Sequence, residues 1–410
     1  MLQYGLIGEK LSHSVSPQIH EQIGTGAYRL MPMPPEALDD FFRRRDFAGI
    51  NVTIPYKKVA MSYCDEISPQ AAAIGCVNTI CQAGDGRLIG HNTDYDGFRY
   101  LLGQGGFPVR GCKALVLGSG GASLTVRQVL KDLGAAQVVI ISRSGEDNYD
   151  NLAKHADTDL IVNTTPVGMY PKTGQSPVSL DLFPSLKGVA DLIYNPLRTA
   201  LLLEAEKRGI PCAGGLGMLV AQAVRASELF RGIALPDETI PLVERKIRCD
   251  MENIILIGMP GSGKSTQGRW LAEALGREFL DTDAVVEQRA GCRIPEIFAK
   301  AGEDAFRKAE TVAAAICGSM TGKVIATGGG IVTRPENWHH LKQNGYIIFL
   351  DRRTEYLSTK GRPLSTDKKR LEEMSRERRP MYMALAREII PVQANPAATQ
   401  RELRRIVMSR

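Results

Sequence analysis

The stretch Gly258-Met259-Pro260-Gly261-Ser262-Gly263-Lys264-Ser265 decides the fold of the C-terminal part of this 410-residue chain. It follows the apolar run 253–257, which is typical of a buried strand, and it precedes a helical pattern over 266–275. The glycines let consecutive backbone N–H groups turn toward phosphate oxygens, and the helix N-terminus adds its dipole. The sequence therefore predicts a phosphate-binding loop, with Lys264 on the β- and γ-phosphates and Ser265 on Mg²⁺.

Two carboxylates follow the second apolar run of this part of the chain. Asp281 and Asp283 end the segment 279–283, and residues at i and i+2 of a strand share one face. One carboxylate can hold the Mg²⁺ shell while the other accepts the proton of an attacking hydroxyl. Taken alone, the pair is also compatible with two solvated turn residues.

Three arginines and a triple glycine complete this pattern. Arg307 lies in a helical segment, Gly328–Gly330 follow the strand 324–326, Arg362 lies in a segment typical of a mobile lid, and Arg378 comes after it. Arginine binds carboxylates in a bidentate fashion and aspartate accepts from hydroxyls. This combination indicates a small substrate that carries both a carboxylate and hydroxyl groups.

With these motifs, residues 253–390 resemble shikimate kinase, which implies a nucleoside-monophosphate-kinase-like P-loop α/β/α fold. The resemblance implies that Asp283 binds the hydroxyl and acts as the base, and that Asp281 is an outer-shell ligand of Mg²⁺. Lys264, on the phosphates, is the second catalytic residue, and Ser265 is the other metal ligand. Its other implied residues bind either shikimate (Asp283, Arg307, Gly329, Arg378) or ATP (Gly261, Ser262, Gly263, Lys264, Ser265, Thr266, Arg362). The segment between Leu350 and Arg362 is shorter than the family pattern.

A second glycine-rich turn, at Gly118, follows the apolar run 113–117 and resembles the dinucleotide fingerprint. Taken alone, it is equally typical of an ordinary glycine-rich turn. About twenty residues later, the strand 138–141 ends at Ser142 and Arg143. An arginine in this place favours the 2′-phosphate of NADP over the free ribose hydroxyl of NAD.

The first 100 residues contain polar groups at strand ends and turns, where side chains can converge on one cleft. Lys57 and Asp94 are the most informative of them. An aspartate can hold the ammonium group, and the lysine can then exchange a proton with a substrate oxygen. Each of these polar groups, taken singly, is more often a turn residue or part of a salt bridge.

Over roughly residues 1–240 the chain resembles shikimate dehydrogenase. The motifs of that family occur in the family's order: SxSP, NVTxPxK, VNT, NTD, GxGGA, DxxY and GLGMLVAQ. The resemblance implies that Lys57 and Asp94 are catalytic. It implies a shikimate-binding set of Ser14, Ser16, Thr53, Asn78, Asp94, Tyr194 and Gln222. It implies an NADP-binding set of Gly118, Ser119, Gly120, Gly121, Ala122, Ser142, Arg143, Leu192 and Gly215.

The cofactor part departs from this pattern after Arg143. The segment to Leu160 is shorter than in the family, which predicts the loss of a helix and of a strand. The second basic residue of the family is also absent, and the acids Glu146 and Asp147 stand there instead. This predicts either a weak preference for NADP or acceptance of NAD.

The composition limits the remaining possibilities. The net charge of +6 and the 23% of charged residues are typical of a soluble protein that binds small anions, and no Lys/Arg cluster indicates nucleic-acid binding. The eight cysteines form no CxxC pair and are interpreted as reduced thiols. No apolar run approaches the ~18 residues of a membrane span, and the N-terminus does not resemble a signal peptide. We therefore expect a cytoplasmic protein.

Alternating strands and helices predict α/β domains with parallel sheets. We expect three domains: a shikimate-binding catalytic domain over 1–100 with about 220–245, a Rossmann NADP domain over 101–219, and a P-loop kinase domain over 251–410. The charged stretch 244–252 is interpreted as the boundary between the dehydrogenase and kinase parts.

The two resemblances meet at one metabolite, since a dehydrogenase of this family forms shikimate and the kinase consumes it. The sequence therefore predicts a bifunctional enzyme acting on 3-dehydroshikimate and shikimate, with NADP(H), ATP and Mg²⁺, as a monomer or homodimer. One alternative is a quinate/shikimate dehydrogenase fused to another small-molecule kinase. A second is a metabolite-sensing scaffold with one dead site.

Overall fold

The structure, a computed structural model, describes residues 3–11, 14–357, 368–393 and 395–410. The chain divides into two compact units. The first comprises Met1–Met169, Gln175–Tyr194 and Glu204–Ile247, and the second Tyr170–Gly174, Asn195–Leu203 and Arg248–Arg410. No helix within the described residues is long and apolar enough to cross a membrane.

The first unit begins with a six-stranded sheet in the order β2-β1-β3-β5-β6-β4. Its strands are β1 (Gln3–Gly8), β2 (Tyr28–Pro32), β3 (Phe47–Val52), β4 (Glu66–Ile67), β5 (Thr79–Gln82) and β6 (Leu88–His91). The prediction of a parallel sheet is wrong here, because β5 runs antiparallel to both β3 and β6. The tight turn between Ala83 and Arg87 explains the β5–β6 pairing, since such a short connection can only join antiparallel strands.

Four helices accompany this sheet: α1 (Ser16–Ile23), α2 (Leu38–Arg44), α3 (Pro69–Ile74) and α4 (Asp94–Gly105). Phe42, Phe47 and Ile50 lie in its apolar core. The buried residues of α4 include Phe98, Leu101 and Leu102, which follow a helical spacing and fix the face that this helix turns inward. The N-terminus of α4, with Asp94 at its start, lies just beyond the end of β6.

The second sheet of the first unit is entirely parallel, in the order β11-β10-β9-β7-β8. Its strands are β7 (Lys113–Leu117), β8 (Gln137–Ile141), β9 (Leu160–Asn163), β10 (Gly188–Asp191) and β11 (Cys212–Gly214). The chain continues through α5 (Gly121–Asp132), α6 (Ala200–Lys207) and α7 (Leu216–Arg231). Between β8 and β9 the described chain has only a 3-10 helix, Leu152–His155, in place of an α-helix.

The charged stretch interpreted as a linker is part of a continuous helix, α8 (Thr239–Met251). Val243, Ile247 and Met251 are buried, and their spacing of four residues places them on one helical face. Apart from Glu244, which is also buried, the charged residues are partly or fully exposed. The segment is therefore an amphipathic helix, which its high charge content concealed. The division between the two compact units falls within α8, after Ile247.

The second unit is built on a parallel five-stranded sheet in the order β13-β14-β12-β15-β16. The strands are β12 (Asn253–Ile257), β13 (Phe279–Asp281), β14 (Val324–Ala326), β15 (Gly345–Asp351) and β16 (Glu388–Pro391). The helices are α9 (Lys264–Leu275), α10 (Thr282–Ala290), α11 (Ile294–Ser319), α12 (Pro335–Lys342), α13 (Lys368–Leu385) and α14 (Pro396–Met408). Every residue of β12 is buried, as expected for a central strand covered on both faces.

Two candidate active sites

The phosphate-binding loop connects β12 to α9 in the second unit. Gly258 adopts a φ of 147°, and a Cβ there would lie 2.7 Å from the Leu350 carbonyl oxygen, so only glycine fits this turn. The Lys264 ammonium donates to the carbonyl oxygens of Gly258 and Met259, each at 2.9 Å. The loop therefore keeps the lysine folded over the position where phosphate oxygens would enter.

A cavity of about 610 Å³ opens in front of this loop. Among the predicted ATP-binding residues, Gly261, Gly263, Lys264, Ser265 and Thr266 line it, and Ser262 is fully buried beside them. The predicted shikimate-binding residues Asp283, Arg307, Gly329 and Arg378 line the same cavity. Arg362 and the predicted lid lie outside the described residues.

Asp281 and Asp283 both line the cavity, although the strand reasoning behind them is wrong. β13 ends at Asp281, which caps α10 by accepting from the Asp283 N–H at 3.1 Å, so Asp283 lies on a helix. The Ser265 hydroxyl donates to Asp281 Oδ2 at 2.7 Å. These are hard oxygen donors beside a phosphate loop, which fits Mg²⁺ held by one hydroxyl and one carboxylate together with the substrate phosphates.

The Asp283 carboxyl is suited to proton transfer. Burial, reinforced by the Asp281 and Glu310 charges, raises its pKa to about 6. Its Oδ1 atom is buried and has no hydrogen-bond partner among the described residues. A carboxylate with one free oxygen and a pKa near neutrality can accept a proton from a substrate hydroxyl.

Sequence reasoning found Arg307 but missed Glu310, one turn further along α11. Arg307 Nη1 donates to Glu310 Oε2 at 2.8 Å, and Nη2 donates to Glu303 Oε1 at 3.0 Å. Burial raises the pKa of Glu310, whose Oε1 atom is buried without a partner in the described part of the chain. In the sequence, Glu310 is an acidic residue three positions after an arginine on a helix. Such pairs are too common on helices to indicate a binding site.

The triple glycine brings these groups together by allowing close approach. A Cβ on Gly328 would lie 2.6 Å from Asp283 Oδ1 and 2.7 Å from Glu310 Oε1, and a Cβ on Gly330 would overlap the Arg307 guanidinium. The Gly329 carbonyl oxygen accepts from Arg378 Nη1 at 3.2 Å. A side chain at Gly328 or Gly330 would therefore displace the groups with which this turn is in close contact.

In the first unit, Lys57 and Asp94 form a direct ion pair. Lys57 Nζ lies 2.5 Å from Asp94 Oδ2, and the side chains are only 19% and 13% exposed. Lys57 comes from the turn after β3, whereas Asp94 begins α4. The structure therefore brings together two groups that are 37 residues apart in the sequence, and the partial burial strengthens their interaction.

A buried chain of hydrogen bonds lies beside this pair. The Tyr28 hydroxyl donates to Asn51 Oδ1 at 2.7 Å, and Asn51 Nδ2 donates to Thr79 Oγ1 at 3.0 Å. From Thr79 the contacts continue at 3.1 Å to Asn78 Oδ1, and Asn78 Nδ2 then donates to Thr93 Oγ1 at 3.1 Å.

Thr93 Oγ1 in turn donates to Gln222 Oε1 at 3.4 Å. The amide orientation of the predicted ligand Asn78 is thus set by a chain that begins at Tyr28, whereas Gln222 is held mainly by its own Nε2, which donates to the Leu219 carbonyl oxygen at 2.9 Å. Tyr28 was missed because its contribution depends on a contact that no motif records.

The remaining predicted shikimate ligands of this unit lie in turns and at strand ends. Ser14 Oγ donates to Ser16 Oγ at 3.1 Å at the start of α1. Thr53 follows β3 and is half-buried, and its N–H donates to the Ile7 carbonyl at 2.9 Å. Tyr194 follows β10, and burial raises its pKa, which keeps the phenol neutral and able to donate.

The predicted NADP-binding residues meet at the carboxyl edge of the parallel sheet. Gly118 follows β7, Ser142 follows β8, Leu192 follows β10 and Gly215 follows β11. Because β8 and β9 leave β7 on opposite sides, Gly118 lies at the topological switch point where dinucleotides bind in such sheets. Ser119 and Gly120 are exposed there, with Gly121 and Ala122 at the start of α5.

Gly215 has a separate structural reason to be glycine. A Cβ at this position would lie 2.1 Å from the Leu192 carbonyl oxygen, which no side chain could tolerate. The two turns that follow β10 and β11 are thereby packed directly against each other. Arg143 is exposed at the end of β8, where the ribose of a bound dinucleotide would lie.

The folds and sites define an α/β dehydrogenase joined to a P-loop kinase, and the comparisons with known proteins agree. The shikimate dehydrogenase substrate binding domain model matches residues 6–80, and the shikimate kinase model matches residues 260–407. The chain belongs to the shikimate dehydrogenase family over its N-terminal part and carries a shikimate kinase domain at its C-terminal end.

Individual relatives cover the N-terminal part. The chain is 38% identical over 255 residues to a shikimate dehydrogenase (NADP(+)) from Clostridium beijerinckii, covering 57% of this chain and 94% of that one. A chorismate mutase/shikimate 5-dehydrogenase fusion protein from Clostridium acetobutylicum matches at TM-score 0.57 and 37% identity, over 60% of this chain and 97% of that one. Shikimate 5-dehydrogenase from Thermus thermophilus, in complex with NADP(H) and shikimate, matches at TM-score 0.54 and 34% identity, over 60% and 99%.

Proposed function

We propose that the first unit reduces 3-dehydroshikimate to shikimate with NADPH, and that the second unit phosphorylates shikimate with MgATP. The observation that carries the proposal is that each unit retains its own proton-transfer group. These are the Lys57–Asp94 pair in the first unit and the partly buried Asp283 beside the phosphate loop in the second. A family likeness without these groups would indicate the fold alone.

In the dehydrogenase reaction, Lys57 is the proton donor. Asp94 holds the Lys57 ammonium in place, so that the proton is directed to the C3 oxygen of the substrate as the carbonyl becomes a hydroxyl. Bound NADPH supplies the hydride. We assign substrate binding to hydroxyl, amide and phenol groups that can hydrogen-bond the hydroxyls and the carboxylate of the substrate, namely Ser14, Ser16, Thr53, Asn78, Tyr194 and Gln222.

We assign NADP binding to the carboxyl edge of the parallel sheet. The turns after β7, β10 and β11 would hold the dinucleotide, and Arg143 would accept the 2′-phosphate. The assigned residues are Gly118, Ser119, Gly120, Gly121, Ala122, Ser142, Arg143, Leu192 and Gly215.

In the kinase reaction, Asp283 accepts the proton of the 3-hydroxyl as that oxygen attacks the γ-phosphorus. Arg307 and Arg378 bind the shikimate carboxylate, and the Gly329 turn leaves room for the ring. Lys264 stabilises the charge of the transferred phosphoryl group. Ser265 and Asp281, which are hydrogen-bonded to each other, would hold Mg²⁺ and its shell.

The three sheets support a division into three domains. We propose a catalytic domain over 1–100 with about 220–245, an NADP domain over 101–219 and a kinase domain over 251–410. We propose that the protein is a monomer or a homodimer. Substrates and cofactors of this kind support a cytoplasmic location.

Single substitutions test the two assignments independently. Lys57→Ala should lower dehydrogenase kcat by about 10²- to 10⁴-fold and leave kinase activity unchanged, because general acid catalysis contributes that much. Lys264→Ala should do the reverse, and Asp283→Ala should stop phosphoryl transfer while ATP still binds. Loss of both activities in folded Lys57→Ala protein would contradict two separate sites, and rates with quinate would test the choice of substrate.

A further inference from the structure

The segment after β8 forms a compact loop where the crossover has no α-helix. The Ser142 N–H donates to the Asp147 carbonyl oxygen at 3.2 Å, and Asn151 Nδ2 donates to the Glu146 carbonyl oxygen at 2.8 Å. These bonds fold the loop back on the end of β8 and hold the backbone of Asp147 next to Ser142. An acidic residue is thereby fixed close to the position where a bound dinucleotide presents its ribose.

Arg143 and Asp147 would favour different cofactors. Arg143 at the strand end favours a 2′-phosphate, whereas a free carboxylate nearby repels it and favours the 2′-hydroxyl of NAD. Arg143 is exposed, and the described part of the chain gives it no acidic ion-pair partner. The outcome therefore depends on where the Asp147 carboxylate points.

The Asp147 side chain is engaged elsewhere. Its Oδ1 atom lies 2.8 Å from His155 Nε2, at the end of the 3-10 helix Leu152–His155, and the His155 side chain is only 9% exposed. His155 Nδ1 is buried without a hydrogen-bond partner among the described residues. This favours the neutral tautomer with the proton on Nε2, because a proton on Nδ1 would be a buried, unpaired donor.

We propose that His155 determines cofactor specificity by holding the Asp147 carboxylate away from the 2′-position, so that the dehydrogenase prefers NADP. The inference rests on the proposed dehydrogenase function. His155 is a positioning residue that acts through Asp147 and does not itself touch the cofactor. The two acids after Arg143 therefore do not predict NAD use, since one of them is bound back into the protein.

The first test substitutes His155 with leucine in the full-length chain. Without its partner, Asp147 is free to turn toward the cofactor. The carboxylate is charged in both proteins, so the effect comes from its change in distance. A move from about 12 Å to about 7 Å from a doubly charged phosphate, at an effective dielectric constant of about 30 near the protein surface, weakens binding by about 1.3 kcal/mol, or roughly tenfold. We therefore expect the ratio of kcat/KM for NADPH over NADH to fall roughly tenfold in His155→Leu, with the KM for 3-dehydroshikimate unchanged.

Two further variants separate this mechanism from a simple loosening of the loop. His155→Leu combined with Asp147→Asn should restore the wild-type ratio, because an uncharged amide does not repel the phosphate. His155→Gln, which keeps an N–H donor, should retain most of the preference. Glu146→Gln is the matched control, because this carboxylate is exposed and screened, and we expect it to change the ratio by less than about twofold.

Equilibrium titrations of NADPH and NADH, followed by nicotinamide fluorescence, give the same comparison without turnover. Absence of binding by either dinucleotide in the wild-type protein would contradict the proposed dehydrogenase function itself. Binding of both with equal affinity, or an unchanged affinity ratio in His155→Leu, would overturn only the role of His155. A double variant that stays as impaired as His155→Leu would likewise overturn that role alone.

Discussion

We expect the substitution Asp283→Asn to stabilise the C-terminal unit at neutral pH while it abolishes phosphoryl transfer. Asp283 combines burial with two neighbouring carboxylates, so its ionised form is disfavoured in the folded protein. The unfolded chain solvates the same charge freely. An asparagine keeps the shape of the side chain and removes the charge.

The magnitude follows from the pKa of Asp283, which rises from 3.8 to about 6 on folding. That change corresponds to about 3 kcal/mol, since one pKa unit is about 1.4 kcal/mol. Between pH 3.8 and about 6 the folded state binds more protons than the unfolded state, so stability falls as the pH rises. The advantage of Asp283→Asn is therefore absent below pH 3.8 and reaches up to about 3 kcal/mol above pH 6.

Urea unfolding followed by tryptophan fluorescence measures this effect on the relevant unit. The chain has 2 tryptophans, Trp270 and Trp338, and both lie in the second unit. Asp304→Asn is a matched control with the opposite sign, because its exposed carboxylate has its pKa lowered by a hydrogen bond from Lys308. We expect this control to be slightly less stable than the wild type at neutral pH.

The pH dependence of the stability difference between Asp283→Asn and the wild type tests this reasoning. If Asp283→Asn is no more stable than the wild type at about pH 7.5, then the buried charge is fully compensated and the reasoning is refuted. A stabilisation that is equally large at about pH 3.5 and about pH 7.5 would also refute it, because the effect would then not arise from ionisation.

Three other outcomes follow from the same geometry. Kinase kcat/KM for shikimate should fall as the pH drops below about 6, because protonated Asp283 cannot accept a proton; a flat profile from about pH 5 to 8 would contradict its role as base. Gly328→Ala should raise the kinase KM for shikimate at least about tenfold with little change in the KM for ATP, because its methyl group would displace the Asp283 and Glu310 oxygens. Tyr28→Phe should raise the dehydrogenase KM for shikimate by about 5- to 30-fold, because Asn51 loses its hydrogen-bond donor, and unchanged kinase rates in the same protein serve as its control.

Local patterns predicted much of the fold. The strand at β12, the phosphate loop and the start of α9 could be placed because glycine spacing and an apolar run act over a dozen residues. The antiparallel β5 was missed because pairing direction depends on the connection between strands. The helix α8 was misread as a linker because its three buried apolar positions are separated by charged residues.

The candidate sites, like the fold, were predicted only in part from the sequence. Motifs located Lys57, Asp94, Asp283 and Arg307, but the partners that position them come from contacts that no motif encodes. Glu310 lies one helical turn from Arg307. It can be recognised as part of the site only from the fold, which places Gly328 next to its unpartnered Oε1 atom. Partner geometry of this kind depends on tertiary packing, which a single sequence does not specify.

A coupled assay tests the central claim most directly. Full-length protein would receive 3-dehydroshikimate, NADPH and MgATP, and both NADPH oxidation and shikimate 3-phosphate would be followed. We predict that shikimate 3-phosphate accumulates in proportion to the NADPH consumed, and that shikimate accumulates instead in Lys264→Ala protein. NADPH oxidation without shikimate 3-phosphate in the wild type, or no NADPH oxidation at all, would contradict the assignment of two consecutive reactions to this chain.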